Sequence, residues 1–176
     1  DVGTTLDVDA SGNVIVGGYA TNTSNVKELI CIKYNSAGTK QWQYTQPSAN
    51  PSGDAFIQKL VVNPTNNQIY YVAGERGSSG LKQVLIGKMR ANGERNWYQN
   101  IADPTKDILP SDIKTESDAV YAISVIDPTA AKYLTTGYSE LELDTAAVYK
   151  NNKPEIANQH GNNHSSGTKN NRCRNS

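Results

Sequence analysis

A repeat of about 55 residues constrains this chain more than any single motif, because a unit of that length must be built the same way each time it recurs. Shifting the sequence over itself aligns Leu6 with Leu60, Val8 with Val62, Gly18 with Gly74, Ile30 with Leu85, Gly38 with Gly93 and Trp42 with Trp97. The first copy reads LDVDASGNVIVGGYA and ELICIKYNSAGTKQWQYT; the second reads LVVNPTNNQIYYVAGER and QVLIGKMRANGERNWYQN. A weaker third copy runs through DIKTESDAVYAISV and KYLTTGYSELELDTAAVYK, matching Ile69, Tyr70 and Val72 to Val120, Tyr121 and Ile123, and lacks the terminal tryptophan. Repeats are expected at about 1–53, 54–107 and 108–150, with a polar, basic, low-complexity tail over 151–176.

Within each copy, short runs rich in Val, Ile and Tyr are punctuated by Gly, Asn, Asp and Pro, the pattern of strands joined by turns. No stretch of helical period longer than about two turns is present. Runs such as LICIKY and VLIGKM carry apolar side chains on both faces, as happens when a sheet is covered on both sides. The expected fold class is therefore all-β: tandem antiparallel sheets stacked like propeller blades, followed by the tail.

Asp7, Asp9, Ser11 and Gly12 stand at the spacing that opens a calcium loop of the EF-hand type. The twelfth position should be a bidentate carboxylate and is Gly18. In the second copy Asn63 and Thr65 replace the acidic pair, keeping side chains that cap a turn but losing the charge a divalent ion needs. The stretch reads as a hairpin turn, and neither a metal site nor a cofactor is expected.

The order of residues then resembles a known family. Strand, Asp, small-Gly-Asn, strand, Gly, then strand, Lys-Tyr-Asn, x-x-Gly and x-x-x-Trp is similar to the SBBP-type β-propeller repeat of secreted and cell-surface proteins, well over Leu6 to Thr45, moderately over Leu60 to Asn100 and poorly over Ile113 to Lys150. The resemblance implies four-stranded blades and an extracellular or cell-surface location, and carries over no catalytic residue. A closed propeller needs about four blades, so two good repeats and one weak one leave an incomplete ring.

Candidate sites are few. Residues 1–150 contain no histidine and one cysteine, which excludes Ser-His-Asp, Cys-His and imidazole-metal chemistry there. Asp54, Asp103, Asp107 and Asp112 lie in inter-repeat segments, where carboxylates cap turns more often than they catalyse. Trp42 and Trp97 end equivalent strands; repetition favours packing between sheets, with glycan stacking as the other use. His160, His164 and Cys173 in the tail could supply zinc ligands, but nothing brings them onto one face. A Cys31–Cys173 disulfide is open to a secreted protein, while alternation in LICIKY places Cys31 in the core. Asn22 and Asn163 head glycosylation sequons.

The chain balances 17 basic against 17 acidic residues, which encodes no pull toward nucleic acid, and no apolar run reaches the roughly 20 residues of a membrane span. The tail holds Lys153, Lys169, Arg172 and Arg174 against Glu155, a net +3 that leaves the body at −3. With so few apolar side chains it cannot offset its ordering entropy alone, and is expected to run along a sheet edge of another subunit. The function expected is a non-enzymatic extracellular structural or adhesive subunit that self-associates into a homo-oligomer or filament. The alternatives are a glycan- or peptide-binding module and a carboxylate-based carbohydrate enzyme.

Overall fold

The computed structural model describes residues 1–116, 119–126, 132–139, 143–150 and 153–157, with side chains described over 1–115 and 119–126. Every regular element among them is a strand. The first sheet contains β1 (Val2–Val8), β2 (Val14–Thr21), β3 (Lys27–Tyr34) and β4 (Lys40–Gln46); the second contains β5 (Ala55–Val62), β6 (Ile69–Arg76), β7 (Lys82–Met89) and β8 (Arg95–Ile101). The third is formed by β9 (Ile108–Glu116), β10 (Ala119–Ile126), β11 (Lys132–Ser139), β12 (Leu143–Lys150) and β13 (Lys153–Ala157). Each sheet is an antiparallel meander in chain order, because turns of a few residues can only join neighbours.

The sheets repeat in detail that alternation alone does not specify. The first strand of each carries a bulge at one place, with Thr4, Gln58 and Ser111 as the extra residues. The fourth strand of each carries another, at Gln41, Asn96 and Asp144. Pairing also corrects one sequence alignment. Gly18 pairs with Ile30 as Ala73, not Gly74, pairs with Leu85, so the glycines are one residue out of step.

Two cores lie between three layers. Ile15, Leu29 and Cys31 of the first sheet meet Ile57, Leu60, Ile69, Tyr71 and Leu85 of the second. Tyr70, Val72, Val84 and Ile86, from the opposite face of the second sheet, meet Ile108, Ile113, Val120 and Ala122 of the third. β6 is consequently buried along nearly its whole length, which explains why IYYVAG shows no polar face. Among the described residues the stack does not close into a barrel or ring.

The third sheet departs from expectation at its outer edge. Lys153–Ala157 pairs antiparallel with β12, Ile156 opposite Ala147, so this part of the tail lies on an edge of its own chain. Only two residues separate β12 from β13, and so short a closure costs little entropy compared with recruiting a second molecule. The rest of the tail, with His160, Asn163, His164 and Cys173, lies outside the described residues.

Candidate functional site

The acidic stretch resolves into two structural jobs. Asp7 lies on the β1 face that meets the second sheet; its Oδ2 accepts the Val62 N–H at 2.7 Å while Oδ1 accepts the Val8 N–H at 2.8 Å. Asp9 sits in the β1–β2 turn, where Oδ1 accepts the Ser11 and Asn13 N–H groups, each at 2.9 Å. Its other oxygen accepts the Asn13 amide and the Lys33 ammonium, each at 2.8 Å. Burial alone would push this carboxyl up, but the bond from Lys33, then those from Asn13 and Ser11, outweigh it and hold the group well below the ordinary carboxylate range. The two carboxylates thus answer N–H donors in different places rather than converging, and Asn63 repeats the turn cap by accepting the Thr65 N–H at 2.9 Å.

Two of the four aspartates assigned to inter-repeat segments, Asp54 and Asp107, clamp one sheet to the next. Asp54 accepts the backbone N–H of Lys27 at 2.9 Å, and one repeat later Asp107 accepts that of Lys82 at 2.9 Å. Asp103 is held by the Thr105 N–H and hydroxyl, each at 2.8 Å, and its carboxyl is lowered chiefly by the former. Asp112 lies not in an inter-repeat segment but within β9, paired with Ile123, and accepts the Ile113 N–H at 2.9 Å. Buried Glu75 accepts from Ala49 N–H and the Gln83 amide, tying the β4–β5 connection to the second sheet. A cleft of about 150 Å³ opens nearby, floored by Phe56, Ile108 and Pro110 and rimmed by Arg76 and Lys82, smaller than the roughly 300 Å³ at which small-molecule sites begin.

Trp42 is half-buried between sheets. Its Nε1 donates to the Ala91 carbonyl at 3.0 Å, in the β7–β8 turn of the next sheet. The ring lies so close to Gly93 that a Cβ there would stand 2.7 Å from it, while Gly38, the same turn of the first sheet, has nothing within 4 Å. Trp97 packs partly buried against the second core. Cys31 is a free thiol with no exposure between the first two sheets, and burial raises its pKa to about 12. Reaching its sulfur would require those sheets to part, and Cys173 is outside the described residues. The Asn22 side chain caps its own turn, accepting from Ser24 and Val26 N–H and donating to Glu28.

What sequence reasoning missed is the exposed apolar surface at both ends of the stack. Calling the face of each sheet that receives the preceding sheet its leading face, Leu60 and Val62 of the second sheet are 1% and 7% exposed, whereas Leu6 and Val8 at the same positions of the first are 62% and 49% exposed. On the opposite, trailing face, Tyr70 and Val72 are 3% and 0% exposed in the second sheet, whereas Tyr121 and Ile123 in the third are 47% and 41% exposed. The aligned pairs Leu6–Leu60 and Tyr70–Tyr121 held this signal, but only the order of stacking tells which members are left open. In comparisons with known proteins, no family model matches the chain and no curated relative emerges.

Proposed function

We propose that this chain is a non-enzymatic structural or adhesive subunit of the SBBP-type β-propeller repeat kind, with its sheets serving as blades and its activity being association with further sheets of the same kind. The reading rests on one observation: positions that are sealed inside the stack stand open at its two ends. Open apolar faces of this sort mark interaction surfaces in soluble proteins. Asp7, Asp9, Asp54 and Asp107 support it from the other side, since each is committed to holding a turn or a neighbouring sheet. An extracellular or cell-surface location follows from the repeat pattern together with the sequons at Asn22 and Asn163.

Sedimentation equilibrium over a wide range of protein concentration tests the reading. Weight-average mass should rise with concentration above that of the single chain of 19.1 kDa. A mass fixed at the single-chain value throughout would reject it.

A further inference from the structure

The first and third sheets end the stack with complementary halves of one interface. The interface between the first and second sheets defines the pattern. From the receiving side come Leu60 and Val62 of β5, with Ile69, Tyr71, Leu85 and Met89 behind them. From the covering side come Ile15, Leu29 and Cys31, together with two side-chain acceptors: Thr5 Oγ1 takes the Leu60 N–H at 3.3 Å and Asp7 Oδ2 takes that of Val62 at 2.7 Å. These donors belong to the outer edge of β5, which has no strand beyond it and would otherwise be unpaired.

The leading face of the first sheet presents the same receiving set. Leu6 pairs with Val16 and Val16 with Ile32; Val8 pairs with Val14 and Val14 with Tyr34. Cross-strand partners share a face, so these six residues form one apolar surface, the counterpart of Leu60, Val62, Ile69, Tyr71 and Met89 in the second sheet. β1 is likewise an outer edge, and Leu6 faces Val16 in the register in which Leu60 faces Tyr71.

The covering set is repeated in part on the trailing face of the third sheet, where Lys114, the partner of Tyr121, replaces the acceptor Asp7, the partner of Ile15. Tyr121 and Ile123 occupy the places of Tyr70 and Val72. Asp112, the residue after the β9 bulge and the partner of Ile123, stands where Thr5 stands after the β1 bulge as the partner of Gly17. A carboxylate therefore occupies the position from which Thr5 accepts the Leu60 N–H.

We propose that the trailing face of the third sheet in one copy packs on the leading face of the first sheet in a second copy, continuing the stack head to tail. This rests on the self-association reading above and adds which surfaces meet. The occupant is a second copy because the chain itself exposes both halves of an interface that it already builds twice internally. Tyr121 and Ile123 cover Leu6 and Val8, and Asp112 accepts the Leu6 N–H. The contact centres on β9 and β10 against β1 and β2, since the third sheet has no tryptophan to place over Gly38. Because the two faces differ, the contact is heterologous and yields a ring or a filament according to whether the rotation closes.

Leu6→Glu and Ile123→Glu test the pairing, each placing a charge on one face only. Both residues are exposed, so each variant should fold as the unaltered protein does. Alone, each should show dissociation at least about tenfold weaker in affinity by sedimentation, because every contact in a pure variant uses one spoiled face. Mixed in equal amounts, the two should form a species of twice the single-chain mass and nothing larger, since only the intact trailing face of Leu6→Glu and the intact leading face of Ile123→Glu can meet. Recovery on mixing also demonstrates that both variants are folded. If the unaltered chain associates while either variant associates equally well, or the mixture stays monomeric, these faces are not the interface although self-association stands. If the unaltered chain never associates, both readings fall.

Discussion

The interface between the first two sheets and the ends of the stack are made of corresponding residues in opposite circumstances. Leu60 and Val62 lie under the first sheet while Leu6 and Val8 face solvent, and Gly93 lies under Trp42 while Gly38 lies under nothing. Strand, turn and bulge are the same in both places. Local sequence therefore builds each sheet, and position in the stack alone decides whether an apolar side chain stabilises the fold or remains available for association.

Leu60→Ala against Leu6→Ala should break the symmetry most strongly. The buried leucine should cost about 2–5 kcal/mol, the usual range for a truncated core leucine. The exposed one should cost less than about 0.5 kcal/mol in the dilute single chain. Chemical denaturation measures both, and equal losses would mean that Leu6 is already covered within the chain.

Gly93→Ala against Gly38→Ala separates backbone strain from packing. Both glycines have positive φ, +88° and +81°, so either alanine incurs about 1–2 kcal/mol of left-handed strain. At Gly93 the added methyl also meets the Trp42 ring, and overpacking should add about 1–3 kcal/mol. Thermal melting of the two variants, each also in a Trp42→Ala background, should show the excess at Gly93 disappearing when the ring is removed.

Asp9→Asn makes the first turn resemble the second, where Asn63 already caps, and so isolates the charge paired with Lys33. The loss near neutral pH should be about 1.5–3 kcal/mol, as for a hydrogen bond to a charged partner. Its pH dependence has a definite sign. The folded-state pKa of Asp9 lies below its ordinary value of 3.8, so the stabilisation is fully present above about pH 4 and is lost as pH falls further. Denaturation curves of the two proteins should accordingly converge toward pH 2, and a gap that widened on acidification would contradict the assignment.

Much of the architecture was legible because alternation and turn residues report local structure directly. The aligned pairs Leu6–Leu60, Trp42–Trp97 and Tyr70–Tyr121 carried the stacked antiparallel sheets, and the missing carboxylate at Gly18 turned the acidic stretch into a hairpin. Features that depend on one sheet meeting another were not legible. Nothing in LDVD says that Asp7 reaches across to Val62, and Gly38 and Gly93 look alike until Trp42 is placed. The bulges at Thr4, Gln58 and Ser111 also escaped, since each follows from registering two strands. For the tail, a place along a sheet edge was legible, but that Lys153–Ala157 takes the edge of its own chain was not, because an edge strand held by backbone bonds carries no side-chain signal of which edge it joins.

Amide hydrogen exchange followed residue by residue tests the central claim most directly. The Leu60 and Val62 amides, which donate to Thr5 and Asp7, should exchange slowly at every protein concentration. The Leu6 amide should exchange rapidly in dilute solution and slow in step with association as concentration rises. Leu6 protected as strongly as Leu60 in the single chain, or remaining unprotected in the associated state, would contradict the account.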